Sequence, residues 1–408
     1  MRSPTIRTSA SPDPMRARRT TRPVTRDYLA AGFAGGRTGP SRPLRIRPGY
    51  APLVLDPLNV EEAVDLLDRV RSGLAGDEFG VAVGRPVLLV ELDQPVTGDE
   101  LQPPVGWPCV LVATSTAPYA PEAPVGPDVL ISAGVDPPRP WVGASGRASE
   151  ATWAVEEAVL RHPQAATALV QVIRLGATLS PASALVVESL AYSTLQSGPE
   201  HGEWLATRPS RPPDSRTDPV VQLDRDADAL WITLDRPERR NAYSARMRDE
   251  LVAALELAAN DPSVATIHLR GNGPNFSSGG DLAEFGTRPD PATAHGIRVQ
   301  RSAGWWISLL RSRVTAHLHG ACVGAGIELS AFAGTVEAAA DTTVSLPEVS
   351  MGLIPGAGGT ASIPRRIGPQ RAAWLALTGT RLEAAIAAQW GLIDRMGCAP
   401  SGREPGGS

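Results

Sequence analysis

Residues 319–334 read HGACVGAGIELSAFAG: a turn of Gly, Ala and Val leads into a stretch with helical spacing that carries one carboxylate, Glu328, among small apolar residues. Two related turns flank it, NFSSGGDLAEFG at 275–286 and LPEVSMGLIPGAGGT at 346–360. Each follows an apolar run and is expected to open a helix. Such junctions expose unpaired backbone N–H groups and the positive end of the helix dipole, which suits an anion or a developing oxyanion. None of the three fits a GxGxxG or Walker pattern, so nucleotide phosphate binding of the usual kind is unsupported.

Glu328 lies one helical turn beyond Ala325 on the same face, so its carboxylate and the Ala325 amide can address one small ligand. Glu348 follows Leu346-Pro347, whose proline keeps position 346 extended, and another Gly-rich turn comes after it. Two glutamates beside apolar turns suit paired acid–base work, because desolvation raises a carboxyl pKa from about 4.3 toward neutrality. Spacing alone favours a helix-start carboxylate at 328 and a solvated loop residue at 348.

Outward from these turns, 220–237 (VVQLDRDADALWITLDRP) reads as two short strands joined at 225–228. Residues 244–259 form an amphipathic helix capped by Ser244, and 266–270 form a strand. Strands alternating with helices to the end indicate a layered α/β domain. Upstream, a polar, Pro-rich linker at 209–218 marks a boundary. Before it, 149–208 is helical in texture, with Gly176 as a stop and Ser180-Pro181 as a cap and first turn. Of the 39 Pro, 21 lie in residues 1–140, so elements there must be short. A helix at Val60–Arg71 and strands at 86–92 and 109–113 are the regular pieces.

All 39 basic residues are Arg, which excludes Schiff-base and P-loop lysine chemistry. Residues 1–47 hold eleven Arg and two Asp, leaving a formal charge of minus thirteen on the remainder. An acidic body argues against nucleic-acid binding. The tail at 1–49 has too few apolar residues to order itself and is expected to be disordered, either a transit-like leader or an over-extended frame starting at Met15. Cys109, Cys322 and Cys398 are too scattered for a disulfide framework or a metal site, so a reducing cytoplasm is the default. His317 and His319 share a strand face without a third ligand nearby, and are expected to be structural. The mostly apolar run 320–336 carries Glu328 at its centre, and inserting it in a bilayer would cost roughly 2.5–3.5 kcal/mol or more, so no membrane span is expected.

LDRPERRNAYSARMRDEL at 234–251, FSSGGDL at 276–282, HGACVGAGIE at 319–328 and LPEVSMGLIPGAGGTASIPRRIG at 346–368 together resemble the successive signatures of the enoyl-CoA hydratase/isomerase, or crotonase, superfamily. The resemblance runs from about Val220 to Met396. It implies a crotonase-like ββα spiral core with flanking helices over 219–396, followed by a flexible tail at 397–408. It further implies that the amides of Gly280 and Ala325 form an oxyanion hole for a thioester carbonyl. Glu328 and Glu348 match the two acids of the hydratase branch, and Gly356 the glycine that helps hold the attacking water. Arg239, Arg240 and Ala242 fall where family members contact coenzyme A, and Asp281 is expected to be a structural N-cap.

On this resemblance the substrate is a 2-enoyl-CoA thioester, hydrated or formed by dehydration of a 3-hydroxyacyl-CoA. No metal or separate cofactor is expected, since coenzyme A is part of the substrate, and a homo-oligomer, trimer or hexamer, is implied. An isomerase or other crotonase chemistry on the same scaffold, and a non-catalytic acyl-CoA-binding or assembly protein, are the alternatives. Two departures stand out: Ala325 where members commonly have Gly, and a chain that ends where members continue into further helices. Residues 163–209 look like those terminal helices. The expected organisation is therefore a degenerate crotonase-like unit at 50–208, ending in tail-type helices at 149–208, ahead of the catalytic core.

Overall fold

The computed structural model describes residues 56–397, apart from 75–77, 93, 97, 118–121, 135, 145–147, 210–216 and 288–289. The expected disordered tail, the centre of the linker and Cys398 lie outside the described residues. In chain order the upstream elements are α1 (Val60–Arg71), β1 (Val87–Glu91), β2 (Val110–Ser115), β3 (Val129–Ser132), β4 (Val142–Gly143), α2 (Ala148–Arg161), α3 (Pro163–Gly176), α4 (Pro181–Gln196) and α5 (Pro199–Ala206). Next come β5 (Val221–Asp226), β6 (Ala229–Leu234), α6 (Ala245–Asn260), β7 (Thr266–Gly271), α7 (Pro291–Gln300), α8 (Ala303–Leu309), β8 (Val314–Leu318), β9 (Ala321–Val323) and α9 (Ala325–Ser330). The last are β10 (Thr335–Ala338), β11 (Thr343–Ser345), α10 (Gly359–Ile367), α11 (Pro369–Thr378), β12 (Leu382–Glu383), α12 (Ala384–Trp390) and β13 (Arg395–Met396).

Strands β1 to β4 form a parallel sheet in sequence order. Their apolar runs are nearly continuous because both faces are covered. Val87, Leu89, Val110 and Val112 face the main core, whereas Leu88, Val90, Leu111 and Ala113 face a separate cluster built on α1, Trp107 and Trp141. A six-stranded sheet has the order β13-β10-β8-β7-β6-β5, parallel except for β5. A small sheet, β12-β11-β9, lies where the chain leaves β9 for α9.

Local signals explain most boundaries. Asn59 and Glu62 make a reciprocal capping box at the start of α1, and Ser244 caps α6 through the Met247 amide. The helical periodicity at 151–176 predicts one stretch, but the chain breaks at His162 and restarts with Pro163 at the first position of α3. Proline lacks the N–H an uninterrupted helix would need. The Glu200 carboxylate then accepts from the Gln164 and Ala165 amides at 2.7 and 3.1 Å and caps α3 from a distance.

The turn at 275–286 opens no helix, contrary to the expectation from its neighbours. Asp281 is not a helix N-cap: one oxygen accepts from the Ala283 amide at 2.9 Å, and the other pairs with the buried Arg236 guanidinium at 2.6 Å. That pair, with the Asn241 side-chain Nδ2 donating to the Asn272 and Asn275 carbonyls, staples this turn to the loop before α6.

The upstream helices share the main core with the downstream sheet: α3 packs on α10 and α11, and α4 on α7 and α10. Polar contacts lock the same seam. Glu188 of α4 accepts from the Gly358 amide at 2.7 Å and from the Thr360 amide and hydroxyl at 2.9 and 2.7 Å. Arg371 donates to the Trp141 and Pro137 carbonyls at 2.9 and 3.0 Å.

Residues 219–408 expressed alone would bare the apolar surface of α10 and α11, and large bare patches drive association. The fragment is expected to aggregate and to be rescued by co-expressed 149–208, read by soluble yield and size exclusion; a soluble, active fragment would show the helices to be dispensable. Glu188→Ala leaves buried donors without an acceptor and should lower unfolding stability by roughly 3 kcal/mol, measured by urea denaturation.

Candidate active site

A cavity of about 390 Å³ lies between the start of α9, the short 3-10 turn at Glu348–Met351, the loop before α10 and the 275–286 turn, with α4 and α5 closing it. Gly280, Ala325, Glu328, Glu348 and Gly356 all line it. These residues are scattered along the downstream sequence, and only the chain's folding makes them one wall.

The donors are backbone groups. The Tyr243 amide donates to the Gly279 carbonyl at 2.7 Å and the Asp281 amide to the Tyr243 carbonyl at 3.1 Å, which fixes the peptide at 280. Ala325 opens α9, where an amide has no partner within its own helix. Among the described residues, neither the Gly280 nor the Ala325 N–H is taken up by a protein acceptor. Gly324, just before α9, has φ +49°, and a Cβ there would fall 2.3 Å from the Glu348 Oε1. Glycine at 324 thus serves both the turn and the carboxylate lying against it.

Glu328 is almost wholly buried, and its Oε2 accepts from the Ala357 and Gly359 amides at 2.7 and 2.9 Å. Burial raises its pKa to about 7, and those two amides hold it down against a larger rise. Glu348 is only half-buried as a residue, yet its Oε2 is sealed from solvent and finds no hydrogen-bond donor among the described residues. Burial pushes the Glu348 carboxyl well above its usual range, and the neighbouring Glu328 and Glu188 charges push it further. Gly356 has no room for a side chain, since a Cβ would sit 2.4 Å from the Tyr192 ring.

Arg239, Arg240 and Ala242 do not line this cavity. Arg240 is exposed in a left-handed turn with φ 55°, Arg239 is half-buried beside it, and Ala242 is buried. His317 and His319 part company: His317 meets His268 at 2.9 Å and Glu337 at 3.3 Å within a stack that includes Trp231, while His319 bonds the Gly273 carbonyl at 2.9 Å. Among the described residues no group of three His, Cys, Asp or Glu side chains is placed to hold a metal.

The sequence reading missed what the upstream helices bring: Tyr192, Gln196, His201 and Leu205 line the cavity, and Glu188 stands behind its wall, bonded to the start of α10. Burial, and secondarily the Glu328 charge, raises the Glu188 carboxyl to about 8. Tyr192 lies under Gly356, and His201 Nδ1 meets the Met351 carbonyl at 3.0 Å. One signal was available: Glu188 is the lone charge in LVVESLAYSTLQSG, and an acid in so apolar a helix must be hydrogen-bonded if buried.

Residues 224–400 match the family model described as enoyl-CoA hydratase/isomerase. A 2,3-dehydroadipyl-CoA hydratase of Escherichia coli is 34% identical over 171 residues, 42% of this chain and 66% of that protein. The enoyl-CoA isomerase/hydratase fer4 of Mycosarcoma maydis is 36% identical over 175 residues, 40% of this chain and 64% of that one. The chain thus spans just under two thirds of the length of these two relatives. Among solved structures, an enoyl-CoA hydratase of Thermoplasma volcanium shares 34% identity over 44% of this chain and 72% of its own, with a TM-score of 0.42. The probable enoyl-CoA hydratase echA8 of Mycobacterium tuberculosis is 30% identical over 178 residues, 43% of this chain and 68% of that protein, and by that match, with the family model, the chain belongs to the enoyl-CoA hydratase/isomerase family, the crotonase superfamily.

Proposed function

We propose that the protein adds water across the double bond of a 2-enoyl-CoA thioester, or removes it from a 3-hydroxyacyl-CoA. The observation that carries this reading is the meeting of two buried carboxylates, Glu328 and Glu348, with the free amides of Gly280 and Ala325 in one cavity. The Gly280 and Ala325 N–H groups donate to the thioester oxygen as negative charge moves onto it, a contribution of about 100–1,000-fold per donor in other enzymes. Water sits between the glutamates beside Gly356. Glu328, whose ionised form two amides favour, takes the water proton as oxygen attacks C3. Glu348, kept protonated by burial and by its neighbours' charge, delivers its proton to C2. Proton count balances: one glutamate ends protonated, the other ionised, and exchange through solvent resets them.

A panel of trans-2-enoyl-CoA esters, followed by ultraviolet loss of the conjugated thioester, tests the reading. Tight binding without turnover on any ester would point to a non-catalytic protein, and double-bond migration without hydration to an isomerase. Glu328→Gln and Glu348→Gln should each lower kcat by roughly 100-fold or more while calorimetric affinity for the ester holds, because the carboxylates act in the transition state. Near-normal hydration in either variant removes that residue from the mechanism. The profile of kcat/KM against pH should show its rising limb near about 7, where Glu328 ionises, and not in the ordinary carboxylate range. Initial rates between about pH 5 and about pH 9 would show where the limb falls.

A further inference from the structure

Behind the loop that carries Gly356 lies a second cavity, of about 380 Å³. The two cavities share Tyr243, Arg248, Arg298, Gly356 and Ala357, whereas Gly280, Ala325 and Glu348 line only the first. The second cavity thus adjoins the first at Gly356, within reach of the acyl tail of a thioester seated on the Gly280 and Ala325 amides. Leu185, Val186, Leu329 and Trp306 give that cavity an apolar wall. Two guanidinium groups stand at its entrance.

Arg248 has a carboxylate, Asp249, at 2.8 Å. Arg298 has none among the described residues. Its Nε donates to Ser189 Oγ at 3.1 Å, Nη1 to Gln196 Oε1 at 3.2 Å, and Nη2 to the Ser189 carbonyl at 3.4 Å and to Ser193 Oγ. Its plane lies over the Tyr192 ring at 4.6 Å. Every one of these partners is neutral. Glu188, on the same helix face, is committed to Gly358 and Thr360. Burial disfavours the Arg298 cation and the nearby Arg248 charge adds to this, while the Tyr192 and Glu188 groups favour it without contacting it as an ion pair among the described residues. A buried guanidinium that lines a substrate cavity, with neutral hydrogen-bond partners and no carboxylate in contact, is complementary in charge to a carboxylate.

We propose that the second cavity receives an acyl chain ending in a carboxylate, with Arg298 as the counter-ion that selects it. This rests on the hydratase reading of the first cavity for the direction in which the acyl chain runs. The same guanidinium could instead meet a coenzyme A phosphate. The position of the second cavity beyond the glutamates, away from the oxyanion donors, favours the acyl terminus.

The test uses the full chain and two trans-2-enoyl-CoA esters of equal length, one ending in a methyl group and one in a carboxylate. The carboxylate ester should be hydrated with kcat/KM about tenfold higher or more, and Arg298→Met should bring that ratio down to about one, because a buried cation with no carboxylate in contact favours the ester that supplies one. Arg298→Lys, which keeps the charge and loses the fork, should retain part of the preference. A wild-type preference for the methyl ester, or an equal loss on both esters in Arg298→Met, overturns the proposal; the equal loss assigns Arg298 to coenzyme A or to holding α4 against α7. If neither ester is hydrated, the hydratase reading fails, and calorimetry with the matching saturated esters decides the anion site separately. Tighter binding of the carboxylate ester, lost in Arg298→Met, then supports the site, and equal binding of the two esters refutes it.

Discussion

Four consecutive amides, from Ala357 to Thr360, are divided between two carboxylates, one from the upstream helices and one from the downstream core. Glu328 takes Ala357 and Gly359, and Glu188 takes Gly358 and Thr360. The first amides of a helix normally lack partners, and the helix dipole places positive potential there. Here the start of α10 is satisfied by two acids at once, and the acids are satisfied by the helix. The arrangement fixes the loop bearing Gly356, aims the Glu328 side chain and requires α4 to lie where it does. Tyr192, one turn beyond Glu188 on α4, then fills the space under Gly356.

The same arrangement sets the electrostatics. Glu188, Glu328 and Glu348 crowd a small, largely apolar volume, so water cannot solvate three negative charges and each carboxyl is displaced upward. Hydrogen bonds then separate them. Glu188 and Glu328 each have two backbone donors from the start of α10 that favour the ionised form, while Glu348 has only its own backbone amide and its buried Oε2 has no donor among the described residues. A pair of carboxyls held in different environments can sit in different protonation states at one pH, which acid–base chemistry at neutral pH demands. The protons belong to the cluster as a whole, so a change at Glu188 is felt at Glu328.

The upstream parallel sheet contributes to this site through packing alone. One of its faces continues the main core through α2 and α3 to α10 and α11, and the other closes over α1. Between them the buried pair of Arg174 with Asp128 ties α3 to the sheet, with further Arg174 bonds to the Trp107 and Cys109 carbonyls at 2.9 and 2.8 Å. Such a pair contributes more to a unique docking of helix on sheet than to raw stability, since its charges are costly to bury. The result is a firm platform under α4, the helix that supplies Glu188, Tyr192 and the serines around Arg298.

Much of this was legible along the chain. Caps and periodicity place α1, α4 and α6 nearly to the residue, because Asn59, Ser180 and Ser244 act on amides within one turn of themselves. The three Gly-containing turns also held five of the residues that line the first cavity, Gly280, Ala325, Glu328, Glu348 and Gly356, since a backbone that must approach a ligand closely leaves its mark as small residues at fixed spacing. Other features depended on partners remote in sequence. Asp281 has the look of a helix cap, but Arg236, 45 residues earlier, claims it and the turn stays a turn. Glu188 reads as one acid in an apolar helix until Thr360, 172 residues later, supplies its donors. Capping and periodicity are short-range effects that a linear sequence displays, whereas whether a charge is buried, and by what it is satisfied, is decided by the surfaces that the folded chain brings together.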